Sequence, residues 1–440
     1  MKVLQVLNHF LPYQTAGTEV YTWALSKQLM QRGVEVKIVT PHYGKRESSN
    51  YIYDDLFVHQ YAEPSIVDRS LIMGLRAPDG LFFFDEFIRH EKPDIIHFHE
   101  IAGSNGITLK HVQLAKRSSA KVLMTFHLAG YSCKTGTLFH LGKSECNGVI
   151  DLHKCSVCHL QSIGNGNIAA TLTLASTILH CFSINTILWQ NKLGTALGAV
   201  SVISNFKQGL HSLVSLCDNV ISITDWYKNI LIANGITESK IKVIKQGLPF
   251  NVVQKISCKD ISLSKPLKLV FLGRINKSKG LHLLLEALND IEPKLVELTI
   301  FGTTDDSYFE SYLNEIIASK KNIVWNGKLK QEDVVKTFQN YHILCLCSTL
   351  SEMSALVIQE AFAAGIPVLA TNVYGNAEQI QHNHNGLLFQ FNNVEDLRTQ
   401  ILRCINEPDL INNLAKNIKT PRSFEEVAEE YYTLYKNLLN

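Results

Sequence analysis

Short apolar runs alternate along this chain with longer segments in which apolar side chains recur at helical spacing. Residues 2–7 form the first run, residues 18–32 show the helical period, and residues 34–40 form the next run. Gly33 stands between the helix and the second run, where a glycine commonly ends a helix. Strand, helix and strand in this order predict a βαβ unit and therefore a parallel sheet.

The same alternation continues to the end of the chain. We expect further strands at 95–99, 121–126, 219–224 and 241–244, and then at 267–272, 297–301, 322–325, 343–347 and 366–370. Helices are expected at 280–288, 309–318, 355–364 and 424–439. Residues 247–266 are polar and irregular, which is typical of a linker. The sequence therefore predicts an α/β protein with two doubly wound halves.

The composition is that of a globular protein, and it excludes several classes of function. Hydrophobic residues make up 46% of the 440 residues, which excludes a disordered or fibrous chain. Lys and Arg number 42 against 40 Asp and Glu, so the net charge of +2 does not indicate a nucleic-acid partner. The apolar run at the N-terminus is too short for a signal peptide, so we expect a cytoplasmic protein with reduced thiols.

One long segment, residues 155–191, contains no Asp, Glu, Lys or Arg. Its central part, 168–189, has the length that crosses a bilayer, which takes about 20 residues. Its many Ser, Thr, His and Asn residues disfavour a transmembrane helix. We favour one or two buried helices. The alternative is a helix lying in the membrane interface, with Trp189 and Lys192 at its rim.

Two glutamates lie eight residues apart where a predicted strand gives way to a helix. Glu352 follows the strand 343–347, and Glu360 lies within the helix 355–364. Doubly wound sheets bind ligands at the carboxyl ends of their strands, and the free amides of a helix N-terminus favour an anion. These residues are therefore candidates for a binding site, although Glu360 alone would also fit the exposed face of an amphipathic helix.

Two cations lie at the turn after strand 267–272. This turn begins with Gly273 and Arg274 and ends with Lys279 and Gly280. Arg binds a diphosphate through two parallel hydrogen bonds, and Lys binds it as a point charge. By itself the turn would also fit a solvated basic loop. Together with the two glutamates it favours a site for a diphosphate.

These motifs resemble the donor half of a family 4 glycosyltransferase of the GT-B fold, of the type with two glutamates separated by seven residues. The run 365–368 (Gly-Ile-Pro-Val) also matches that half. In the first half, residues 16–19 (Ala-Gly-Thr-Glu) resemble the family's Gly-Gly-x-Glu loop. Residues 94–99 and 125–127 resemble its two strand ends that carry histidines. The resemblance covers nearly the whole chain.

The resemblance implies two Rossmann-like domains that face each other across a cleft. Residues 1–250 would form the acceptor-side domain, and residues 251–420 would form the domain that binds the nucleotide sugar. The C-terminal helix, 421–440, would pack back on the first domain.

The resemblance also implies a role for each residue of the donor site. Glu360 would hold the donor ribose, and Glu352 the donor sugar. Arg274 and Lys279 would neutralise the diphosphate leaving group next to Gly273.

Other residues of the implied site act through their backbone or from the first half. The backbone amides of Ser354, Ala355 and Leu356 would contribute to donor binding, although the family usually has a Pro-Phe-Gly-like segment here. Gly17 would let the backbone approach phosphate or acceptor. His127 would lie near the donor sugar and the reacting centre.

The implied activity is that of a hexosyltransferase that retains the anomeric configuration. It would move a sugar from a UDP or GDP donor to a glycan or lipid-linked acceptor, in polysaccharide or glycolipid assembly at the inner face of the membrane. No metal would be required, because fixed cations and amides stabilise the leaving group and no Asp-x-Asp pair is present. Three alternatives stay open: a nucleotide-sugar epimerase of the same fold, a non-catalytic scaffold, and an interaction protein organised by a metal.

Four cysteines form the last group with candidate chemistry: Cys133, Cys146, Cys155 and Cys158. Four thiolates can close a tetrahedral zinc site, and the two-residue gap of the last pair suits one ion. A structural zinc and inert thiols are equally open, and disulfides rank third. The group also resembles a cysteine-bearing subgroup of the same family.

Overall fold

The computed structural model describes residues 1–101, 105–189, 191–249 and 266–440. The chain divides into two compact units. Unit 1 comprises Met1–Lys245 and Phe424–Asn440, and unit 2 comprises Gln246–Ser423. The predicted boundary at 250/251 and most of the predicted linker 247–266 lie outside the described residues.

Unit 1 is built on a mostly parallel sheet of eight strands. Its strands, together with the small hairpin of β7 and β8, are β1 (Lys2–Val6), β2 (Glu35–Tyr43), β3 (Ser49–Tyr53), β4 (Leu56–Glu63), β5 (Ile95–Phe98), β6 (Lys121–Phe126), β7 (Phe139–His140), β8 (Ser144–Glu145), β9 (Asn219–Ser222) and β10 (Ile241–Val243). The order across the large sheet is β10-β9-β6-β5-β1-β2-β4-β3. All its neighbouring strands run parallel except β3 and β4.

The helices of unit 1 connect these strands and include the C-terminal helix of the chain. They are α1 (Gly17–Gln31), α2 (Arg69–Ile72), α3 (Leu81–Glu91), α4 (Leu109–Arg117), α5 (Leu152–Ser162), α6 (Ala169–Cys181), α7 (Lys192–Leu197), α8 (Ala199–Leu216), α9 (Asp225–Ala233) and α17 (Phe424–Leu439). Helix α1 ends before Gly33, whose φ of +77° is the left-handed conformation expected there.

Unit 2 is a parallel sheet of six strands with helices between them. The strands are β11 (Leu267–Leu272), β12 (Val296–Phe301), β13 (Ile323–Trp325), β14 (Ile343–Leu346), β15 (Val368–Thr371) and β16 (Gly386–Phe389), in the order β13-β12-β11-β14-β15-β16. The helices are α10 (Leu281–Ala287), α11 (Ser307–Ser319), α12 (Val334–Phe338), α13 (Leu356–Ala363), α14 (Tyr374–Gln379), α15 (Val394–Asn406) and α16 (Leu410–Lys416). The two units thus confirm the predicted α/β, GT-B type of fold, each with its own Rossmann-like sheet.

The hairpin of β3 and β4 is an addition that the apolar runs do not indicate. No strand is predicted between residues 41 and 94, because β3 alternates half-buried and exposed side chains and contains no continuous apolar run. Asp54 and Asp55 connect the two strands with φ values of +47° and +63°. Left-handed residues at both turn positions match the twist of a two-stranded hairpin.

The uncharged segment 155–191 folds mainly as α5, α6 and the turn that follows them. The interpretation as buried helices is wrong for α6, because Leu174 and Ile178 on this helix are exposed. None of the described helices is both long enough and apolar enough to cross a membrane.

The C-terminal helix α17 is anchored in unit 1 through buried tyrosines. The Tyr21 hydroxyl donates to the Tyr431 hydroxyl across 2.9 Å, and the Tyr435 hydroxyl lies 2.7 Å from Nδ1 of His97. Tyr431 and Tyr435 are fully buried. The last helix of the chain therefore belongs to the core of the unit that contains its first strand.

Removing the Tyr435 hydroxyl is expected to destabilise unit 1. In Tyr435→Phe the His97 ring nitrogen loses its partner inside the core, which costs about 1–3 kcal/mol of the free energy of unfolding. Urea unfolding followed by circular dichroism measures the change. Tyr432→Phe is the matched control on the same helix, since Tyr432 is only half-buried, and a change of less than about 0.5 kcal/mol is expected. Equal effects of the two variants would contradict the role given to the Tyr435 hydroxyl.

Candidate functional site

The site in unit 2 begins at the turn 273–280, which follows the carboxyl end of β11. The turn packs tightly against the residue that follows the neighbouring strand β14. Gly280 has a φ of +69°, and a Cβ atom there would lie 1.7 Å from the carbonyl oxygen of Cys347. The amide of Thr349 donates to the carbonyl of Ser278 across 2.8 Å. The turn is therefore fixed beside the loop that carries Glu352.

Lys279 and Glu352 form an ion pair at this edge of the sheet. Lys279 Nζ lies 2.6 Å from Glu352 Oε1, and the Ser348 hydroxyl donates to the same oxygen across 2.6 Å. The two charged side chains are 21% and 12% exposed. The structure thus brings together two residues that are 73 positions apart in the sequence.

Glu352 is held in its ionised form. Burial by itself would raise the pKa of this carboxyl, but the charge and hydrogen bond of Lys279, the Ser348 hydroxyl and the charge of Arg274 together lower the pKa below its usual value. Arg274, which is exposed, lies at the start of the same turn. Two cations and one fixed anion therefore meet where the carboxyl ends of β11 and β14 adjoin.

Helix α13 begins at Leu356, four residues after Glu352, and carries the second glutamate. Ala355 precedes the helix and makes no side-chain hydrogen bond to it, so the side chain at this position does not cap the first amides. Ser354 and Leu356 flank Ala355, which places all three predicted amide donors at this helix start. The carbonyl of Ser354 accepts a hydrogen bond of 3.1 Å from the Gln246 side chain.

Glu360 is buried on the inner side of α13, with 4% exposure. The amide of the Gln331 side chain donates to Glu360 Oε1. Burial raises the pKa of Glu360 to about 7, and the hydrogen bond from Gln331 lowers it only in part. Glu360 therefore changes its charge near neutral pH, and it is not an exposed residue of an amphipathic helix.

Nucleotide affinity is expected to follow the ionisation of Glu360. If ribose hydroxyls donate to this carboxylate, binding requires the ionised form, so affinity rises with pH through about 7. Between pH 6 and pH 8 we expect an increase of roughly tenfold, measured by titration calorimetry with UDP or GDP.

The control for this pH dependence is a second buried carboxyl. Burial also raises the pKa of Glu19, in unit 1, to about 7. Glu360→Gln is expected to flatten the pH profile and Glu19→Gln to leave it intact. A profile that persists in Glu360→Gln would contradict the assignment. In the free protein the sign is opposite, because a raised carboxyl pKa means that stability falls as pH rises from about 4.5 to 7.

The candidate site in unit 1 is a chain of buried histidines at the carboxyl ends of β5 and β6. Nε2 of His99 lies 2.7 Å from the Gln5 side-chain oxygen, and its Nδ1 lies 3.0 Å from Nε2 of His127. Burial lowers the pKa of His127 to about 3 and that of His99 well below its usual value, so both rings are neutral.

The proton positions on the two rings are linked and follow from the Gln5 amide orientation, here taken with its oxygen toward His99. His99 donates its Nε2 proton to Gln5, so its Nδ1 is an acceptor, and His127 donates its own Nε2 proton to that atom. Nδ1 of His127 is then the acceptor nitrogen. The Tyr21 ring packs edge-on against His127 at 4.7 Å between ring centroids and links it to the buried residues of α17.

The first turn of α1 contains a further buried carboxyl. Glu19 is 1% exposed, its Oε1 accepts from the Gln14 side chain across 2.7 Å, and its Oε2 is buried without a hydrogen-bond partner among the described residues. Gly17 begins the helix, and the position of a Cβ on it is open. Unit 1 alone therefore imposes no steric requirement for glycine at this position.

Three of the four candidate zinc ligands, Cys133, Cys155 and Cys158, have their own local contacts. Cys158 Sγ lies 3.2 Å from Nδ1 of His140, Cys133 Sγ lies 3.2 Å from the Thr135 hydroxyl, and Cys155 points to the Val149 carbonyl. The nine described cysteines, with Cys146 among them, form no disulfide. No three His, Cys, Asp or Glu side chains of the described residues are arranged to hold a metal ion. The described geometry therefore does not fit the predicted zinc site.

Two residues of these sites were not singled out from the sequence, and Glu19 was noted only as part of the loop 16–19. Gln331 orients Glu360, and Ser348 orients Glu352. Neither has a sequence signal of its own, because the partner of Gln331 is distant in sequence and Ser348 is an ordinary neighbour in the loop of Glu352. Glu19 belongs to a loop motif that the sequence does show. Its signal in the sequence is a carboxylate in the first turn of α1, a helix whose other residues are partly apolar and partly polar.

Two family models match separate parts of the chain. "Glycosyltransferase Family 4" matches residues 15–145, which include Gly17 and His127. "Glycosyl transferases group 1" matches residues 254–420, which include all the candidate residues of unit 2 from Gly273 to Glu360.

Curated relatives are similar at low identity. The putative glycosyltransferase YtcC of Bacillus subtilis is 26% identical over 46% of this chain and 56% of its own length. The uncharacterized glycosyltransferase MJ1607 of Methanocaldococcus jannaschii is 22% identical over 99% of this chain and 98% of its own length. The chain thus spans about half the length of YtcC and nearly all of MJ1607.

Solved structures share the fold. Sucrose-phosphate synthase of Thermosynechococcus elongatus aligns with a TM-score of 0.67 at 15% identity, over 99% of this chain and 98% of that one. Anabaena HepE in complex with UDP-glucose aligns with a TM-score of 0.58 at 14% identity, over 100% and 98% of the two chains.

Proposed function

We propose that this chain, a GT-B protein of the glycosyltransferase family 4 type, transfers a hexose from a nucleoside-diphosphate sugar to a glycan or lipid-linked acceptor. The observation that carries the proposal is the ion pair of Lys279 and Glu352 beside Arg274, at the start of α13. This edge of the sheet combines two cations with one ionised carboxylate. A nucleotide sugar needs both, because its diphosphate is anionic and its sugar hydroxyls are donors.

Unit 2 would bind the donor through its charged and hydrogen-bonding groups. Arg274, Lys279 and the first amides of α13 contact the diphosphate. Glu352, held ionised and oriented by Ser348, accepts hydrogen bonds from sugar hydroxyls. Glu360, oriented by Gln331, accepts from the ribose hydroxyls.

The same groups would promote cleavage of the bond between sugar and phosphate. Cleavage builds negative charge on the departing diphosphate and positive charge on the sugar. Lys279 is already fixed by its contact with Glu352, so little reorganisation is needed when the diphosphate charge develops. Arg274 adds the second cation. We also propose that His127, whose ring is neutral, accepts a hydrogen bond from a sugar hydroxyl.

The proposed outcome is retention of the anomeric configuration by a front-face reaction in which the leaving phosphate accepts the acceptor's proton. Glu352 is paired with Lys279, which lowers its nucleophilicity and disfavours a covalent glycosyl-enzyme on this carboxylate. Proton NMR of the first product formed distinguishes the two anomers. Trapping of a covalent intermediate on a defined carboxylate would contradict the front-face course.

UDP-hexoses are the first donors to test, because HepE, which has a similar fold, is described with UDP-glucose. The polysaccharide or glycolipid setting is part of the proposal. The assay incubates the chain with UDP- or GDP-hexoses and a mixture of oligosaccharide and polyprenyl-phosphate-linked sugars, and follows product and nucleotide by mass spectrometry. Sugar transfer supports the proposal. Release of nucleotide together with an epimerised free sugar would replace it by a nucleotide-sugar epimerase.

A further inference from the structure

Helix α6 exposes its apolar side chains and buries its polar ones. Ala169, Thr173 and Ser176 are buried. The Thr173 hydroxyl donates to the carbonyl of Ala169 across 2.8 Å, and Ser176 accepts from the amide of Val200 across 2.9 Å, so the polar atoms of the inner face are satisfied. The buried polar side chains of α6 therefore have their hydrogen-bond partners within unit 1, and the outer side of the helix is free to contact another surface.

The outer side of α6 is strongly apolar. Leu174 is 62% exposed, Ile178 52% and Phe182 74%. These positions are spaced by four residues, which places them on one face of the helix. Further exposed apolar residues continue this surface along the chain: Ile163, Ile168, Ile184, Leu188, Trp189 and Leu193.

A second exposed apolar segment, around α2, is hydrogen-bonded to the same region. Arg69, on α2, donates to the Thr195 hydroxyl across 2.6 Å and to the carbonyl of Ile187 across 3.1 Å. The residues around Arg69 include four exposed apolar side chains, which are Ile66, Val67, Ile72 and Leu75. We call the exposed apolar side chains named here for residues 66–75 and 163–193 together the apolar face. Soluble monomers seldom expose so many large apolar residues on adjacent segments.

The charge of residues 152–217, which carry most of the apolar face, is one-sided. From residue 152 to residue 217 the chain contains no Asp or Glu, while Lys154, Lys192 and Lys207 are present. Lys192 is exposed next to Trp189 and has no ion pair within the described part of the chain. In the segment 66–75 and its flanks, Asp68 and Asp79 are both within 3.7 Å of Arg76.

We propose that the apolar face docks on the surface of a lipid bilayer that contains anionic lipids. Apolar side chains on a helix that lies along the interface enter the acyl boundary, and tryptophan and lysine remain at the headgroups. The unpaired lysines are attracted by the anionic headgroups. Helix α6, with 13 residues, lies along the surface and does not span it.

A second copy of the chain fits this surface less well. A two-fold contact would place the apolar face against itself, and the cations of residues 152–217 would meet the same cations with no carboxylate from that stretch to pair with them. A bilayer with anionic lipid supplies both the apolar medium and the negative charge. The inference does not depend on the proposed transfer reaction, because none of its residues belongs to the candidate sites.

The experiment is co-sedimentation of the full chain with vesicles of phosphatidylcholine, with and without phosphatidylglycerol. The wild type is expected to bind the anionic vesicles preferentially. The triple variant Leu174→Ser, Ile178→Ser and Phe182→Ser is expected to bind them at least about tenfold more weakly. Lys192→Gln is expected to weaken binding about fivefold. Tyr308→Ser is the matched control, because Tyr308 is 80% exposed but lies in unit 2.

Fluorescence of Trp189 gives an independent measurement that does not rely on the serine variants. Anionic vesicles are expected to shift the emission of the wild type to shorter wavelength, and this shift is lost in Trp189→Phe. The proposal is overturned if the wild type binds neither kind of vesicle, or if the folded triple variant binds as the wild type does. It is also overturned if neither protein binds vesicles and the wild type is a dimer that the triple variant dissociates, because a second copy then covers the face.

Discussion

Replacing Lys279 by alanine is expected to lower kcat for sugar transfer by about 10²–10³. The substitution removes a cation aimed at the charge that develops on the leaving diphosphate. It also leaves Glu352, 12% exposed, without its partner at 2.6 Å, so the pKa of this carboxyl rises. Steady-state kinetics with the best nucleotide sugar measure the loss. A fall in kcat at nearly constant KM is expected if the contact strengthens in the transition state.

The control for this variant lies two residues away. Lys277 occupies the same turn and is exposed, and only its backbone carbonyl contacts the loop of Thr349. Lys277→Ala is therefore expected to change kcat less than about threefold. If both alanine variants are equally impaired, the effect is a property of the turn's overall charge and the specific role of Lys279 is refuted.

Replacing Gly280 by alanine is expected to produce the largest structural effect of any single methyl group at the site. The new Cβ would lie 1.7 Å from the carbonyl oxygen of Cys347, and the backbone has a φ of +69°. The turn must therefore move away from the loop after β14, which breaks the contact between Lys279 and Glu352. We expect a loss of about 3 kcal/mol or more in stability and a drop in activity comparable to that of Lys279→Ala.

The variant Gly327→Ala distinguishes the steric clash from the cost of the left-handed backbone. It has a φ of +71°, but no atom lies within 4 Å of the position of its Cβ. Gly327→Ala therefore reports the cost of the left-handed conformation alone, about 1–2 kcal/mol. Thermal unfolding of both variants gives the comparison. Similar midpoints for the two would mean that the contact with Cys347 does not restrain the turn.

The donor-half chemistry was predictable because its signals are local in sequence. The interval between Glu352 and Glu360, and the interval between Arg274 and Lys279, each fall at a strand end followed by a helix. Parallel strands bring their carboxyl ends to one edge of the sheet, so two such intervals predict one site. The pairing of β11 with β14 then makes Lys279 and Glu352 neighbours.

The supporting residues were not predictable, because their partners are remote and their types are common. Gln331 meets Glu360 only after β13 and β14 have been arranged in the sheet. Tyr435 meets His97 across 338 positions of sequence. A glutamine in a short turn or a tyrosine in an amphipathic helix belongs to no sequence pattern from which its contact partner can be predicted.

The uncharged segment shows how composition alone misleads. Its low charge predicted burial, but small and hydroxyl-bearing residues such as Thr173 and Ser176 pack more closely against α8 than Leu174 or Ile178 would. The larger apolar residues are therefore left outside. The order of small and large residues along α6, and not its mean hydropathy, decides which side is buried.

The most direct test of the central claim is the thermal midpoint of the purified chain with UDP, GDP, ADP and CMP, measured together with Glu360→Ala and Arg274→Ala. A ligand at about 100 times its dissociation constant stabilises the folded protein by about 2.7 kcal/mol. We expect one nucleoside diphosphate to raise the midpoint of the wild type and both variants to lose that shift. If no nucleotide shifts the wild type, unit 2 is not a donor site.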